Sequence, residues 1–90
     1  MMETVMIEGN RAAISLATAV SGQFVKIHSI PGGLVQAQFL RFGIGEGERV
    51  QCIERLPGGT IVLQKNRQQI AIGHTLARQI IVMVIDLPQE

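Results

Sequence analysis

Apolar and polar residues alternate along Phe24-Val25-Lys26-Ile27-His28, with Val25 and Ile27 on one face and Lys26 and His28 on the other. That period of two predicts a half-buried strand. Arg49 to Arg55, carrying Val50, Cys52 and Ile53, reads as a second strand. Thr60 to Lys65, with Ile61 and Leu63 alternating, reads as a third, and Gln68 to Ile72, with Ile70 and Ile72 inward, as a fourth. Ile80 to Ile85 is a last strand, apolar on both faces, which needs cover on both sides or becomes an aggregation-prone edge. Turn chemistry punctuates these runs. Pro31-Gly32-Gly33 and Pro57-Gly58-Gly59 are two similar turns, and Asn66-Arg67 is a hairpin tip without the favoured glycine. Five short strands with tight turns predict a mainly β chain, closed into a small barrel that removes most of its edges.

Two segments break the period of two. Ser15 to Val20 followed by Ser21-Gly22 is consistent with one helical turn, and Gly73 to Gln79 is long enough only for another. Leu34 to Phe42 has no internal Gly or Pro, and Gly43 stands where a left-handed C′ residue ends a helix, so one inserted α-helix is expected over about residues 33–42. Each glycine of Gly43-Ile44-Gly45-Glu46-Gly47 allows positive φ where the chain reverses. At roughly 100° per residue from Leu34, Val35, Phe42 and Phe39 fall near 100°, 80° and 140°, while Leu40 and Ala37 fall near 240° and 300°. The helix is therefore apolar on two opposed faces. One face meets the barrel; the other is covered either by residues 1–14 or by a partner. The expected organisation is a lead-in over 1–14, one domain over 15–86 and a tail over 87–90.

Composition narrows the function classes. The ninety residues are 47% apolar and 17% charged, too apolar and too weakly charged for a disordered chain. A formal net charge of +1 gives no electrostatic footprint for duplex nucleic acid. Three phenylalanines with no tyrosine or tryptophan leave little for stacking bases. Nucleic acid is not an expected partner. The longest apolar run, Ile80 to Ile85, is six residues against the ~20 of a membrane helix, so no direct membrane insertion is expected. The N-terminal stretch carries Glu3 and Glu8 where a signal peptide needs basic residues, and a cytoplasmic location is expected.

Candidate chemistry is sparse. Gly43-Ile44-Gly45-Glu46-Gly47 lacks the Gly-x-Gly-x-x-Gly spacing, follows a helix rather than a strand, and carries acids that repel phosphate. No nucleophile-base-orienter set and no carboxylate pair is legible, so an enzyme is the least favoured class. His28, Cys52, His74 and Glu54 are weak metal-ligand candidates. They share no short ligand spacing, Cys52 lies on an apolar-periodic strand, and Lys26 beside His28 opposes a cation. No built-in metal site or cofactor is expected. Weak binding of ferrous iron or another divalent ion by surface histidines and acids stays open.

The order of residues carries a resemblance. Leu40, Phe42-Gly43-Ile44, Gly47, Val50, Pro57-x-Gly59, Ala71-Ile72-Gly73, Ala77, Ile80 and Val82 resemble the pattern of the ferrous iron transport protein A (FeoA) family over about residues 15–86. The resemblance implies an SH3-like barrel with a helix inserted after the first strand. It implies a small cytoplasmic interaction module that docks on, and modulates, a FeoB-type ferrous iron transporter with a cytosolic GTP-binding region. A divalent-metal sensor domain like the barrel that ends iron-dependent repressors is the alternative. Residues 1–14 precede the usual start of the family pattern, and Phe39 replaces a commoner polar residue. The family pattern places Leu40 against the barrel, so Phe39 and Val35 are expected to point outward. Val35, Phe39 and Phe42, with Arg41 as a polar rim, are then the expected contact residues, whether for the transporter or for a second copy in a homo-oligomer.

Overall fold

The computed structural model describes residues 13–85. Six strands, β1 (Ala13–Ser15), β2 (Phe24–Ser29), β3 (Arg49–Arg55), β4 (Ile61–Lys65), β5 (Gln68–Ile72) and β6 (Ile81–Ile85), form one antiparallel sheet in the order β1-β6-β2-β3-β4-β5. A 3-10 turn (Leu16–Thr18) follows β1, helix α1 (Leu34–Arg41) is inserted between β2 and β3, and a four-residue helix α2 (His74–Ala77) precedes β6. The chain is mainly β, with the architecture of a small SH3-like barrel.

The longer strands share one core through their inward faces. Val25 and Ile27 of β2, Val50 and Cys52 of β3, Ile61 and Leu63 of β4, Ile70 and Ile72 of β5, and Val82 of β6 all enter one core. Leu16, Ala17 and Ala19 from the 3-10 turn and its end, Ile30, Phe39 and Ile44 from the α1 segment, and Ala77 and Ile80 around α2 complete it. The alternation read from the sequence therefore gives the correct inward face of β2, β4 and β5. Lys26 and His28 stand exposed on the outer face of β2, as expected.

Two differences from the sequence reading have physical causes. The sheet has six strands, not five. Ala13 and Ile14, expected in the lead-in, pair with Met83 and Val82 in β1, a strand of three residues too short to show a period. The remainder of the lead-in, Asp86 and the tail at 87–90 lie outside the described residues. Doubly apolar β6 lies between β1 and β2, so it is not an edge. The edges are β1 and β5, which do not pair with each other among the described residues.

Turn chemistry is largely as read. Asn66 takes the left-handed conformation (φ 56°) at the β4–β5 tip, and Gly43 does so (φ 76°) after α1. Gly45, unlike Gly43 and Gly47, is not at positive φ. The two Pro-Gly-Gly turns differ in role. Gly33 is the N-cap of α1 and offers no side-chain cap. Pro57-Gly58, by contrast, occupies the centre of a β-turn closed by the Gly59 N–H to the Leu56 carbonyl at 3.0 Å, with Gly58 at φ 90°, the arrangement a Pro-Gly pair favours.

Candidate functional site

Helix α1 has eight residues, too few to be stable without packing. Its C-terminus decides its orientation. The Gly43 N–H donates to the Leu40 carbonyl (2.9 Å) and the Ile44 N–H to the Phe39 carbonyl (3.0 Å). This is the Schellman arrangement, in which the residue three positions before the cap and the one two positions after it meet through apolar side chains. Those residues are Phe39 and Ile44, and both are in the core, 3% and 0% exposed.

The expected orientation of the helix is thus reversed. Phe39 points inward and Val35, one turn earlier, packs half-buried against the same core, while Leu40 is 60% exposed. Phe39 is a core residue and not a contact residue, and Val35 is the partly covered side of the same stripe. The helix is two-faced as counted, but the outward face belongs to Leu34, Ala37 and Leu40. The C′ position of Gly43 was the signal that would have placed Phe39 correctly.

Phe42 remains outward, 47% exposed, and Arg41 beside it is also exposed. The Phe42 carbonyl accepts a 3.1 Å hydrogen bond from Gln68 Nε2, which ties the end of α1 to the start of β5. Three hollows meet at the Phe42 ring. One, about 290 Å³, runs between α1 and β5 toward Leu76 of α2. A second opens toward the hairpin tip with Lys65 and Arg67, and a third lies against Gln38 and Arg41. No carboxylate lines any of the three. A larger concavity of about 740 Å³ lies on the outer sheet face between Phe24, Arg49 and Ile85. At its rim Lys65 Nζ and Glu48 Oε1 approach to 3.5 Å.

The metal-ligand candidates are not brought together. Cys52 is fully buried on the inner face of the sheet, whereas His28 is exposed on the outer face. Glu54 is exposed on β3 beyond a bulge at Ile53, and His74 lies at the start of α2 against Gly59. Among the described residues no group of three His, Cys, Asp or Glu side chains could hold an ion.

Burial pushes the Cys52 thiol above its ordinary value of 9.0, against smaller opposing effects of a hydrogen bond with the Glu54 backbone and the charge of Arg55. The thiolate is the metal-binding and nucleophilic form, so Cys52 is chemically quiet near neutral pH. The folded protein holds this proton more tightly than the unfolded chain does. The resulting stability is full below about pH 9 and is lost as pH rises through the elevated folded value. Urea midpoints measured from pH 7 to 10.5 should fall at the alkaline end, and less steeply in Cys52→Ala. Equal slopes in the two proteins would show that the thiol is not responsible.

Comparison with known proteins sets this geometry in context. A family model described as the FeoA domain matches residues 14–84. The fold is similar to the crystal structure of an iron uptake regulatory protein, FeoA, with a TM-score of 0.72 and 25% identity, covering 82% of this chain and all of that one. It is also similar to the NMR structure of a FeoA-like protein from Clostridium acetobutylicum, with a TM-score of 0.70 and 22% identity, covering 87% of this chain and 93% of that one. No curated protein matches the chain significantly.

Proposed function

The chain belongs to the FeoA domain family, which places it in a ferrous iron uptake system, and from that premise we propose that it is a non-catalytic docking module for a FeoB-type transporter. The module binds the transporter's cytosolic GTP-binding region and modulates uptake. The observation that carries this reading is Phe42. It is a large aromatic side chain held half-exposed where three hollows meet, on a chain with only three phenylalanines. Leaving about half of such a ring in water forgoes about 1 kcal/mol of burial, which a partner that covers it recovers. Leu40 and Arg41 adjoin it on the same helix end, giving the apolar centre and cationic rim typical of a binding hot spot.

Nothing in this role requires the chain to enter a bilayer. No helix among the described residues is long and apolar enough to cross a membrane. The direct test is binding of the full chain to the purified cytosolic region of such a transporter. Phe42→Asp should reduce affinity at least tenfold, about 1.4 kcal/mol, while its thermal melting stays close to wild type, as expected for an exposed position. Wild-type affinity in a folded Phe42→Asp protein would remove Phe42 from the interface. Absence of any wild-type binding would end the docking reading itself.

A further inference from the structure

Among the described residues strand β5 is an edge of the sheet, and its pairing fixes which backbone groups face away from β4. The two-residue turn Asn66-Arg67 makes Lys65 and Gln68 the closing hydrogen-bonded pair. Bonded and non-bonded pairs alternate along an antiparallel ladder. Leu63 with Ile70 and Ile61 with Ile72 are therefore bonded pairs, and Gln69 and Ala71 turn their N–H and C=O groups away from β4. No backbone or side-chain group among the described residues bonds those N–H and C=O groups. Both residues are exposed, and both line the groove of about 290 Å³ that runs past Phe42 and Leu76.

The edge is open where natural sheets are usually blunted. No Pro, Lys or bulge interrupts Gln68-Gln69-Ile70-Ala71-Ile72. The small Ala71 side chain leaves room beside the backbone. The charged side chains at the adjoining hollows are Arg41, Arg67 and Lys65, the last already 3.5 Å from Glu48 Oε1, and no carboxylate is among the lining residues. The backbone thus selects an extended chain, the groove selects an apolar side chain, and the rim selects negative charge.

We infer that β5 binds an extended partner segment by strand addition, with an apolar side chain of that segment in the groove between Phe42 and Leu76 and carboxylates toward Arg41 and Arg67. Backbone pairing with Gln69 and Ala71 supplies two ladder rungs, and alternate side chains supply specificity. This deepens the docking reading, because it names how the surface around Phe42 engages its partner. It also stands apart from it, because any acidic, extended apolar peptide should bind.

The probe is an acetylated, amidated heptapeptide of alternating glutamate and valine, titrated into the isotope-labelled full chain and followed by NMR. Shift changes should centre on Gln69 to Ala71 and Phe42, and hydrogen exchange of the Gln69 and Ala71 amides should slow at least tenfold at saturation. The matching lysine–valine peptide should bind at least tenfold more weakly. Ala71→Pro removes one outward N–H at a position where an edge strand accepts proline, and should weaken peptide binding at least tenfold. Phe42→Asp should do the same without touching the strand. Shift changes centred elsewhere, no binding at millimolar peptide, or unaltered exchange at Gln69 and Ala71 would overturn the proposal. Equal binding of the two peptides would overturn its electrostatic part. Protection of the same amides that grows with protein concentration, without peptide, would make the occupant a second copy instead. Transporter binding that survives in folded Ala71→Pro sinks strand addition while leaving the docking reading intact. A peptide that binds β5 beside a transporter that does not bind has the opposite meaning.

Discussion

Gly59→Ala is expected to cost about 3 kcal/mol or more, a large share of the roughly 5–13 kcal/mol available to a domain of this size. Two effects add. Gly59 holds φ at 92°, a conformation that costs an L-residue about 1–2 kcal/mol. A Cβ there would also lie 2.6 Å from His74 Cδ2, 2.8 Å from Cγ and 3.0 Å from Cβ, so that the His74 side chain must shift. Displacements of that kind cost about 1–3 kcal/mol. Its neighbour Gly58 separates the two effects, since it has φ 90° but nothing within 4 Å of the position of an added Cβ. Gly58→Ala should show the backbone cost alone. In chemical denaturation, His74→Ala should recover part of the loss in the Gly59→Ala background and none in the Gly58→Ala background. Similar losses for both glycines, with no rescue by His74→Ala, would show that the contact with α2 carries no energy.

Phe39→Ala is expected to cost about 3–5 kcal/mol, the range for deleting a buried aromatic side chain. Phe39→Asp, which buries an unpaired carboxylate, should not fold stably. Phe42→Asp, three residues on and half-exposed, should stay within about 0.5 kcal/mol of wild type. Two phenylalanines close in angle around one helix thus divide cleanly between stability and binding. Thermal melts of the three variants are sufficient to check it. A Phe39→Asp protein that melts like wild type would restore the outward orientation that the family pattern implied. Leu40→Glu supplies the converse control, since a strongly destabilised protein would show that Leu40, 60% exposed, packs more than its exposure indicates.

Phe39 shows where a family pattern and local geometry part. The resemblance placed Leu40 against the barrel, and the two-faced helix offered no objection, because either apolar face satisfies a count of angles. The C-terminal cap breaks the tie. With Gly43 as C′, Phe39 and Ile44 are the pair that the Schellman geometry brings together, so the sequence contained the answer in its capping residues rather than in its periodicity. Phe42 and Arg41 were legible as outward residues, but the edge of β5 beside them was not. An edge is defined by a pairing that is missing, and no run of residues reports it.

Strand β1 was missed for a different reason. Three residues cannot display a period of two, and Ala13–Ser15 is a strand only because β6 lies beside it. The same pairing puts β6 inside the sheet, as its doubly apolar sequence requires. Gly59 was read correctly as a turn residue, but the His74 ring lying against it comes from an element fifteen positions later.

What the sequence determined by itself was local. Alternation gave the inward faces of β2, β4 and β5, and Gly, Pro and Asn marked the turns, because side-chain direction and allowed φ are properties of the residue and its immediate neighbours. The absence of a legible catalytic set likewise followed from residue types and spacing. The tertiary structure decided which helix face is buried, which strand is an edge, that Cys52 and His28 lie on opposite sides of the sheet, and that three hollows meet at Phe42. Each of these depends on contacts between residues far apart in the chain, where the free energy of burial is shared among elements and no single segment carries the information.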